Sequence, residues 1–303
     1  MIGVVVVDKP KDITSHQAVE RVKKILNVKK AGHTGTLDPF ATGVLTVCLN
    51  NATKLIPYLM EDTKEYYAEM VLGISTDTLD CTGNTIFEKD IKNISQTDVS
   101  NIICRFKGKL KQIPPMYSAV KIKGKKLYNL ARKGIEIERT PREVVINDIK
   151  LLDFIPPVVK FSVSCSKGTY IRSLASDIGG EIGCGAHLSE LRRLSSGRFC
   201  IENSHNFDEI ESGNYKLLSV NKVLSGYKSI KVNSDLASRI RNGIHITKDA
   251  LLQIKLPNFA RMDIITTLFN EDVISISEAQ LDSSQFEYAE DKDIIFQHLR
   301  ILN

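Results

Sequence analysis

One loop constrains this chain more than any other stretch of its sequence. Residues 32–43, GHTGTLDPFATG, place three glycines and a proline around a single carboxylate, that of Asp38. Glycine permits positive backbone φ and close approach of another chain, while Pro39 fixes its own φ and biases Asp38 toward an extended conformation. The sequence therefore predicts a stiff loop, called the aspartate loop below, that presents one carboxylate.

Local chemistry leaves three functions open for the aspartate loop. Backbone N–H groups of a Gly/Thr-rich loop can bind phosphate, but no Gly-Lys-Ser/Thr sequence follows here, which disfavours a P-loop. Asp38 could also do no more than cap the turn through its side chain. The third function is catalysis by the carboxylate, and the loop alone does not choose between capping and catalysis.

The composition is that of an ordinary globular protein. The 303 residues are 42% hydrophobic and 25% charged, enough for one large domain and a small one. The six cysteines contain no Cys-x-x-Cys pair, which argues against a zinc site and against a disulfide framework. The first residues, MIGVVVV, have no basic region and predict a strand rather than a signal peptide. We expect a cytoplasmic protein with no metal site and no membrane segment.

Positive charge is concentrated before Lys231. The segment from Lys231 onward has eight Lys/Arg against eleven Asp/Glu, which leaves 33 of the 41 basic and 25 of the 36 acidic residues in the preceding part. Residues 114–142, called the basic segment below, interleave basic side chains such as Lys121 and Lys123 with Tyr117 and Tyr128. This mixture predicts contact with an RNA backbone, although a flexible solvated loop remains the alternative.

Hydrophobic periodicity predicts a mixture of strands and helices. Thr14 and Gln17 predict a capping box for one helix, Asn51 a cap for a short one, and Thr97 the start of another. A further helix is predicted over 169–179. The predicted strands cover 3–8, 44–49, 65–72, 143–154, 158–165, 186–194, 263–269 and 273–276. The last two strands indicate a small β-rich module at the end of the chain.

Five ordered motifs resemble those of the TruB-type tRNA pseudouridine synthases. The aspartate loop is the first, and the others are residues 64–78 with KEY, LG and TDT, residues 112–119 (QIPPMYSA), residues 165–174 (CSKGTYIRSL), and residues 185–193 with GAHL and LRR. The resemblance covers about the first three quarters of the chain and fades after about Tyr227.

This resemblance implies an α+β fold. We expect a pseudouridine synthase domain over 1–228, with a mixed or antiparallel central sheet flanked by helices and the basic segment as an insertion, followed by a small PUA-like domain over 229–303. It also implies a reaction that needs no redox cofactor, nucleotide or metal, carried out by a single chain that we expect to be a monomer.

The resemblance further implies a set of site residues. Asp38 would be the catalytic carboxylate, either as a nucleophile at the ribose or as a base that lets a glycal form, and the sequence does not choose between these roles. Arg172 would keep it ionised by an ion pair that lowers its pKa. Tyr66 would stack on the uracil and take the carbon-bound proton, although without the resemblance a core aromatic is the better explanation of this residue.

Six further residues are expected to bind the substrate. His33 would fill the space that the flipped base vacates, unless it is only a loop histidine with local hydrogen bonds. Tyr170 and Leu191 would line the base pocket. The remaining members of this set are Lys9, Arg193 and Lys121.

The implied substrate is the uridine at position 55 in the T loop of tRNA. Two alternatives from other classes remain open. One is a tRNA-folding chaperone in which isomerisation is incidental, and the other is a phosphate-binding enzyme that uses the aspartate loop to hold a nucleotide.

Overall fold

The computed structural model describes residues 1–60, 63–91, 94–118, 120–122 and 124–302. The elements before residue 228 are, in chain order, β1 (Gly3–Lys9), α1 (Ser15–Ile25), β2 (Ala31–His33), β3 (Thr42–Leu49), α2 (Ile56–Leu59), β4 (Lys64–Leu72), β5 (Ile74–Thr76), β6 (Thr85–Glu88), α3 (Gln96–Arg105), β7 (Gly108–Gln112), β8 (Lys121–Ile122), β9 (Lys125–Lys126), α4 (Leu127–Ala131), β10 (Arg142–Ile155), β11 (Val158–Cys165), α5 (Ile171–Ile182), β12 (Ala186–Ser196), β13 (Phe199–Cys200), α6 (Phe207–Glu211) and α7 (Val220–Leu224).

The later elements are β14 (Lys228–Lys231), α8 (Ser234–Arg241), β15 (Ile246–Thr247), β16 (Ile264–Phe269), β17 (Asp272–Ala279) and β18 (Ile294–Ile301). Short 3₁₀ turns occupy Asn50–Leu55, Ile201–Asn203, Asp249–Leu251 and Ser283–Tyr288.

A mixed sheet forms the centre of the molecule. Its strand order among the described residues is β1-β3-β12-β4-β11-β10-β7, with β2 added to β3 and β13 added to β12. Neighbouring strands are antiparallel except for β3 and β12, which run parallel at Thr42 and Gly43. The predicted α+β class with a mixed central sheet is therefore confirmed.

Helices α3 and α5 cover one face of this sheet. Tyr66, Ala68 and Met70 alternate inward along β4, as the two-residue period of a strand requires, and they join a buried cluster with Val99 of α3 and Leu174 of α5. The alternation expected for 65–72 is thus confirmed. This cluster also includes Leu37, Phe40 and Ala41 of the aspartate loop, so it packs against the site.

Helix boundaries are confirmed at α1 and corrected elsewhere. Thr14 and Gln17 form the predicted capping box. Asn51 is not a cap, because a 3₁₀ turn begins one residue earlier and has no side-chain cap. The third helix begins at Gln96 rather than Thr97, since Ser95 forms the capping box with Asp98.

A second sheet follows in the order β14-β16-β17-β18-β15, so the expectation of a β-rich C-terminal module is confirmed. The domain boundary between 228 and 229 and the PUA-like character of the module stay predictions. Val273 and Ile276 of β17 pack in one buried cluster with Val4 of β1 and Val44 of β3. Among the described residues, no helix combines the length and the apolar character that crossing a membrane needs.

Candidate active site

The aspartate loop connects β2 to β3. Residues of β1, of the β1–α1 connection and of the start of α1 hold it by hydrogen bonds. Ser15 Oγ donates to the Leu37 carbonyl at 3.0 Å and accepts from the Leu37 N–H at 2.8 Å. On the other side of Asp38, the Pro39 carbonyl accepts from Asp12 N–H at 2.8 Å and from Lys9 Nζ at 3.2 Å. The backbone on both sides of Asp38 is therefore held in place.

Arg172 holds the Asp38 carboxylate with two nitrogens. Nε lies 2.9 Å from Oδ2, and Nη2 donates to Oδ1 at 3.1 Å. Arg172 stands in the first turn of α5, where a cation opposes the helix dipole, and its side chain is 3% exposed against 30% for Asp38. The carboxylate is therefore held by one hydrogen bond, from Nη2, and by the close charge contact with Nε.

The same guanidinium has three further partners. Nη1 donates to the Thr78 carbonyl at 3.0 Å and lies 3.3 Å from Asp80 Oδ2. Nη2 also donates to the Tyr117 carbonyl at 2.8 Å, which connects the basic segment to the site. Arg172 is thus a buried cation shared by two carboxylates.

Asp80 contacts the site but was not singled out by the sequence. In the sequence, no third ligand near Asp77 and Asp80 indicates a metal site, and nothing else there predicts a role for either carboxylate. In the structure, Asp80 is 4% exposed and accepts from Thr78 Oγ1 at 2.7 Å and Thr82 N–H at 3.0 Å. These bonds to Oδ1 orient the carboxylate so that Oδ2 faces Arg172. The turn-forming TDTLD sequence is a signal for a fixed carboxylate, but its partner lies 92 residues further along the chain.

The pKa of Asp38 is raised above its ordinary value. Burial is the largest cause, and the charge of Asp80 acts in the same direction. Arg172 lowers the pKa, as predicted, and so does Lys9, but together they do not outweigh burial.

Tyr66 projects from β4 into the same cluster as Leu37 of the aspartate loop and Leu191 of β12. Its exposed fraction is 7%, and burial raises the pKa of its hydroxyl, with the Asp38 charge adding to the increase. Asp38, Arg172, Tyr66 and Leu191 are thus brought together, as the predicted site requires.

Tyr170 immediately precedes α5 and is half-buried. Its backbone is fixed by Gln112, whose Oε1 accepts from Tyr170 N–H at 2.7 Å and whose Nε2 donates to Tyr170 O at 3.0 Å. Gln112 therefore positions the start of α5, including Arg172, and it also escaped the sequence prediction.

His33 ends β2 and enters the aspartate loop half-buried. Burial and the charges of Arg193 and His16 lower its pKa, which favours the neutral ring. Its buried Nδ1 has no hydrogen-bond partner within the described part of the chain. The alternative of a histidine satisfied by local hydrogen bonds is therefore not supported at this atom.

Lys9 and Arg193, two of the residues expected to bind the substrate, are buried in the structure. Lys9 is fully buried, and its Nζ donates to the carbonyls of Pro10 and Ile13 at 2.8 Å as well as to that of Pro39. Burial lowers the pKa of Lys9 to about 8. Arg193 is 2% exposed. Backbone carbonyls accept hydrogen bonds from both cations, and the part of these two residues in substrate binding stays a prediction.

The basic segment contains α4 and the strands β8 and β9. Arg132 stacks over the Tyr128 ring at 5.7 Å, and Arg139 Nη1 donates to the Pro114 carbonyl at 3.2 Å. The backbone of Lys121 belongs to β8, whereas its side chain and the whole of Lys123 lie outside the described structure.

Solved structures share this fold over nearly the whole chain. A chain in the crystal structure of a Cbf5-Nop10-Gar1 complex has a TM-score of 0.76 at 27% identity and covers 99% of this chain and 85% of its own. A chain in the structure of an H/ACA RNP bound to a substrate RNA containing 2′-deoxyuridine has a TM-score of 0.74 at 25% identity, with coverages of 99% and 85%. The fold belongs to the class of pseudouridine synthases, as the family model for a pseudouridylate synthase over residues 23–171 also shows.

Family models and relatives make this assignment more specific. The model "TruB family pseudouridylate synthase (N terminal domain)" matches residues 23–171, and "tRNA pseudouridylate synthase B C-terminal domain" matches 172–222. The tRNA pseudouridine synthase B of Clostridium tetani is 47% identical, covering 86% of this chain and 92% of the relative. The protein of the same name from Geobacter sulfurreducens is 46% identical, with coverages of 80% and 82%. The chain belongs to the TruB family of pseudouridine synthases, which are isomerases.

Proposed function

We propose that this chain isomerises the T-loop uridine at position 55 of tRNA to pseudouridine. The observation that carries this proposal is the fixed, two-nitrogen pairing of Asp38 with Arg172 beside Tyr66 in a member of the TruB family. Relatives that share most of the chain's length are named tRNA pseudouridine synthase B, which supports tRNA as the substrate.

The reaction breaks the N1–C1′ bond, turns the uracil and joins its C5 to C1′ of the same ribose. Asp38 acts in its ionised form, either by attacking C1′ or by removing a ribose proton to give a glycal. Arg172 holds the carboxylate in the orientation that either role needs. Because substrate and product are isomers, residues of the protein are sufficient for the chemistry.

Tyr66 stacks on the uracil and takes the proton from C5 after the new bond has formed. Leu191 and Tyr170 line the space around the base. The positions of Tyr66 and Leu191 in one cluster with the aspartate loop support this assignment. A hydroxyl is needed for the proton step, so phenylalanine would retain only the stacking.

The target base must leave the folded RNA before it can reach Asp38. Unstacking costs a few kcal/mol, which new contacts must offset. His33 occupies the vacated space, and its unpartnered Nδ1 supports this role because a polar group of the RNA can satisfy that atom.

The RNA is held mainly by the basic segment, including Lys121. The hydrogen bond that Arg172 donates to the Tyr117 carbonyl supports the assignment, because Tyr117 belongs to this segment. The C-terminal sheet is acidic, so its PUA-like role in RNA binding carries less support from charge. We further propose that the protein acts as a monomer in the cytoplasm.

Tritium release from a T-arm stem-loop containing 5-tritiated uridine tests the function. The wild-type protein should release tritium without an added cofactor, and Asp38→Asn should bind the RNA and release none. Asp208→Asn is the control, because this carboxylate is 94% exposed and lies outside the site. Release by Asp38→Asn at the wild-type rate would contradict the mechanism.

The chaperone hypothesis predicts a different result in the same assay. A protein that only remodels tRNA should bind the stem-loop tightly and release no tritium even as wild type. The Asp38–Arg172 pairing and the family assignment favour the enzyme over this alternative and over a nucleotide-binding protein.

A further inference from the structure

Arg193 is a buried cation that the mechanism above does not use. Its side chain is 2% exposed. Nε donates to the Val44 carbonyl at 2.7 Å, and Nη2 donates to the Gly35 carbonyl at 3.1 Å. Across the described residues, no carboxylate forms an ion pair with Arg193, in contrast to Arg172 and Arg192. A buried cation without a counter-charge is costly, which calls for a reason for its presence.

Tyr66 lies directly opposite Arg193 in the sheet. The two residues are paired across antiparallel strands β4 and β12. Residues opposite each other in an antiparallel pair project to the same face, with Cβ atoms about 4.5–5.5 Å apart. The preceding residue, Arg192, projects to the other face and pairs with Asp8. The register therefore places Arg193, and not its neighbour Arg192, on the same face of the sheet as Tyr66.

Electrostatics agree with this geometry. Burial raises the pKa of the Tyr66 hydroxyl, and the positive charge of Arg193 opposes the increase. A positive charge at this place favours the phenolate over the phenol.

We propose that Arg193 is a positioning residue that acts through Tyr66, by orienting its hydroxyl and stabilising its phenolate for removal of the C5 proton. The proposal rests on the function proposed above. Hydrogen bonds to the Gly35 and Val44 carbonyls hold the same guanidinium against the aspartate loop and the strand that follows it.

The proton balance of the step is complete. Tyr66 first loses its phenolic proton to water. When the C5–H bond breaks, its proton goes to the phenolate oxygen and its electron pair forms the C5=C6 bond of the ring. The electrons of the N1=C6 bond take a proton from water at N1. Tyr66 is neutral again, and one proton has moved from C5 to N1 overall.

A kinetic isotope effect in single-turnover pseudouridine formation tests the proposal. The substrate is a tRNA transcript with either protium or deuterium at C5 of uridine. Arg193→Gln should slow the reaction on the order of tenfold and increase the isotope effect over the wild-type value, because C5 deprotonation becomes limiting. Arg193→Lys keeps the charge and should recover most of the rate. Arg192→Gln on the same strand is the matched control and should leave the isotope effect unchanged.

A Tyr66→Phe background separates action through Tyr66 from a structural effect. If Arg193 acts through Tyr66, Arg193→Gln should slow the Tyr66→Phe protein no further. Rate losses that multiply in the double variant, or an Arg193→Gln protein that is slower but has the wild-type isotope effect, would overturn the inference. Arg193→Lys decides the question if Arg193→Gln does not fold: a slow Arg193→Lys protein with the wild-type isotope effect overturns it as well. A wild-type protein that forms no pseudouridine overturns the proposed function itself.

Discussion

At the scale of single residues, the site depends on how one buried guanidinium is shared between two carboxylates. The side chain of Asp38 is 30% exposed and that of Asp80 only 5%, yet both contact Arg172. The negative charge of Asp80 makes ionisation of Asp38 less favourable, and burial acts in the same direction. The pH dependence of the enzyme should therefore report on this triad.

In the proposed mechanism the ionised form of Asp38 is the active one, and the pKa of Asp38 is raised. Activity should therefore be lost on acidification at a pH above the ordinary pKa of an aspartate, 3.8. Asp80→Asn keeps the side-chain shape but removes one negative charge. It should lower the pKa of Asp38 and move the acidic limb of kcat/KM to lower pH. Asp77→Asn, in the same turn but without a contact to Arg172, is the control. An acidic limb that stays in place in Asp80→Asn would show that Asp80 does not act on Asp38.

Local patterns predicted the residues whose roles depend on neighbours in sequence. The alternation of β4 placed Tyr66 inward, and the glycines and proline around Asp38 indicated a fixed carboxylate. The sequence did not predict that Lys9 and Arg193 are buried, because long basic side chains lie at the surface in most proteins. Only the tertiary fold supplies the carbonyls to which these two donate. The Asp80–Arg172 contact joins segments far apart in the chain, which no periodicity encodes.

At the scale of elements, the start of α1 fixes the backbone of the aspartate loop. Thr14 caps the helix, and the next residue, Ser15, uses its hydroxyl as both donor and acceptor to Leu37. One short segment thus combines a helix start with control of the backbone next to Asp38.

Ser15→Ala should reduce kcat more than it changes KM, because the aspartate loop loses its register while the RNA-binding surface is kept. It also leaves the buried Leu37 N–H without a partner, at a cost of about 1–3 kcal/mol in the free energy of unfolding. Thr14→Ala should cost about 1 kcal/mol of stability by removing the cap and should retain kcat. Denaturant unfolding and steady-state kinetics on both variants check this. Equal decreases of kcat in the two variants would assign the effect to α1 as a whole.

The contact between β3 and β12 depends on a missing side chain. Gly43 has φ +100°, and a Cβ there would lie 2.2 Å from the Arg193 carbonyl oxygen. Gly43 and Arg193 are paired in the parallel register, so this close approach also sets the position of the buried arginine.

Gly43→Ala should destabilise the fold by more than about 2 kcal/mol, through both backbone strain and the clash. Gly180→Ala in α5 is the control: a Cβ there meets nothing within 4 Å, and the substitution should stabilise the helix by about 0.5–1 kcal/mol. Thermal unfolding of the two variants should therefore shift in opposite directions. A Gly43→Ala protein with wild-type stability would mean that β3 and β12 can separate without cost.

At the scale of the whole molecule, the net charge differs in sign between the two parts of the chain. The part that carries the basic segment is positive and the C-terminal part is negative. Binding to a phosphate backbone should therefore depend on salt mainly through the basic segment.

Arg132→Ala combined with Lys133→Ala should weaken binding of a T-arm stem-loop. It should also reduce the slope of log K against log salt by up to about 0.7–0.9 for each phosphate that the protein no longer neutralises. The control is the pair Lys255→Ala and Arg261→Ala, which removes two exposed cations from the C-terminal part. Titrations at several salt concentrations measure the slopes. An equal reduction of the slope in the control pair would assign RNA contact to the C-terminal sheet as well.

The C-terminal sheet and the central mixed sheet share one hydrophobic cluster, to which β1, β3 and β17 all contribute. Lys54 Nζ also donates to the Ile301 carbonyl at 2.8 Å, and Tyr227 donates to the Tyr58 carbonyl at 2.9 Å. A shared core of this kind keeps the distance between the two sheets fixed. For an RNA that touches both sheets, the number of base pairs in its stem would decide which nucleotide arrives at Asp38.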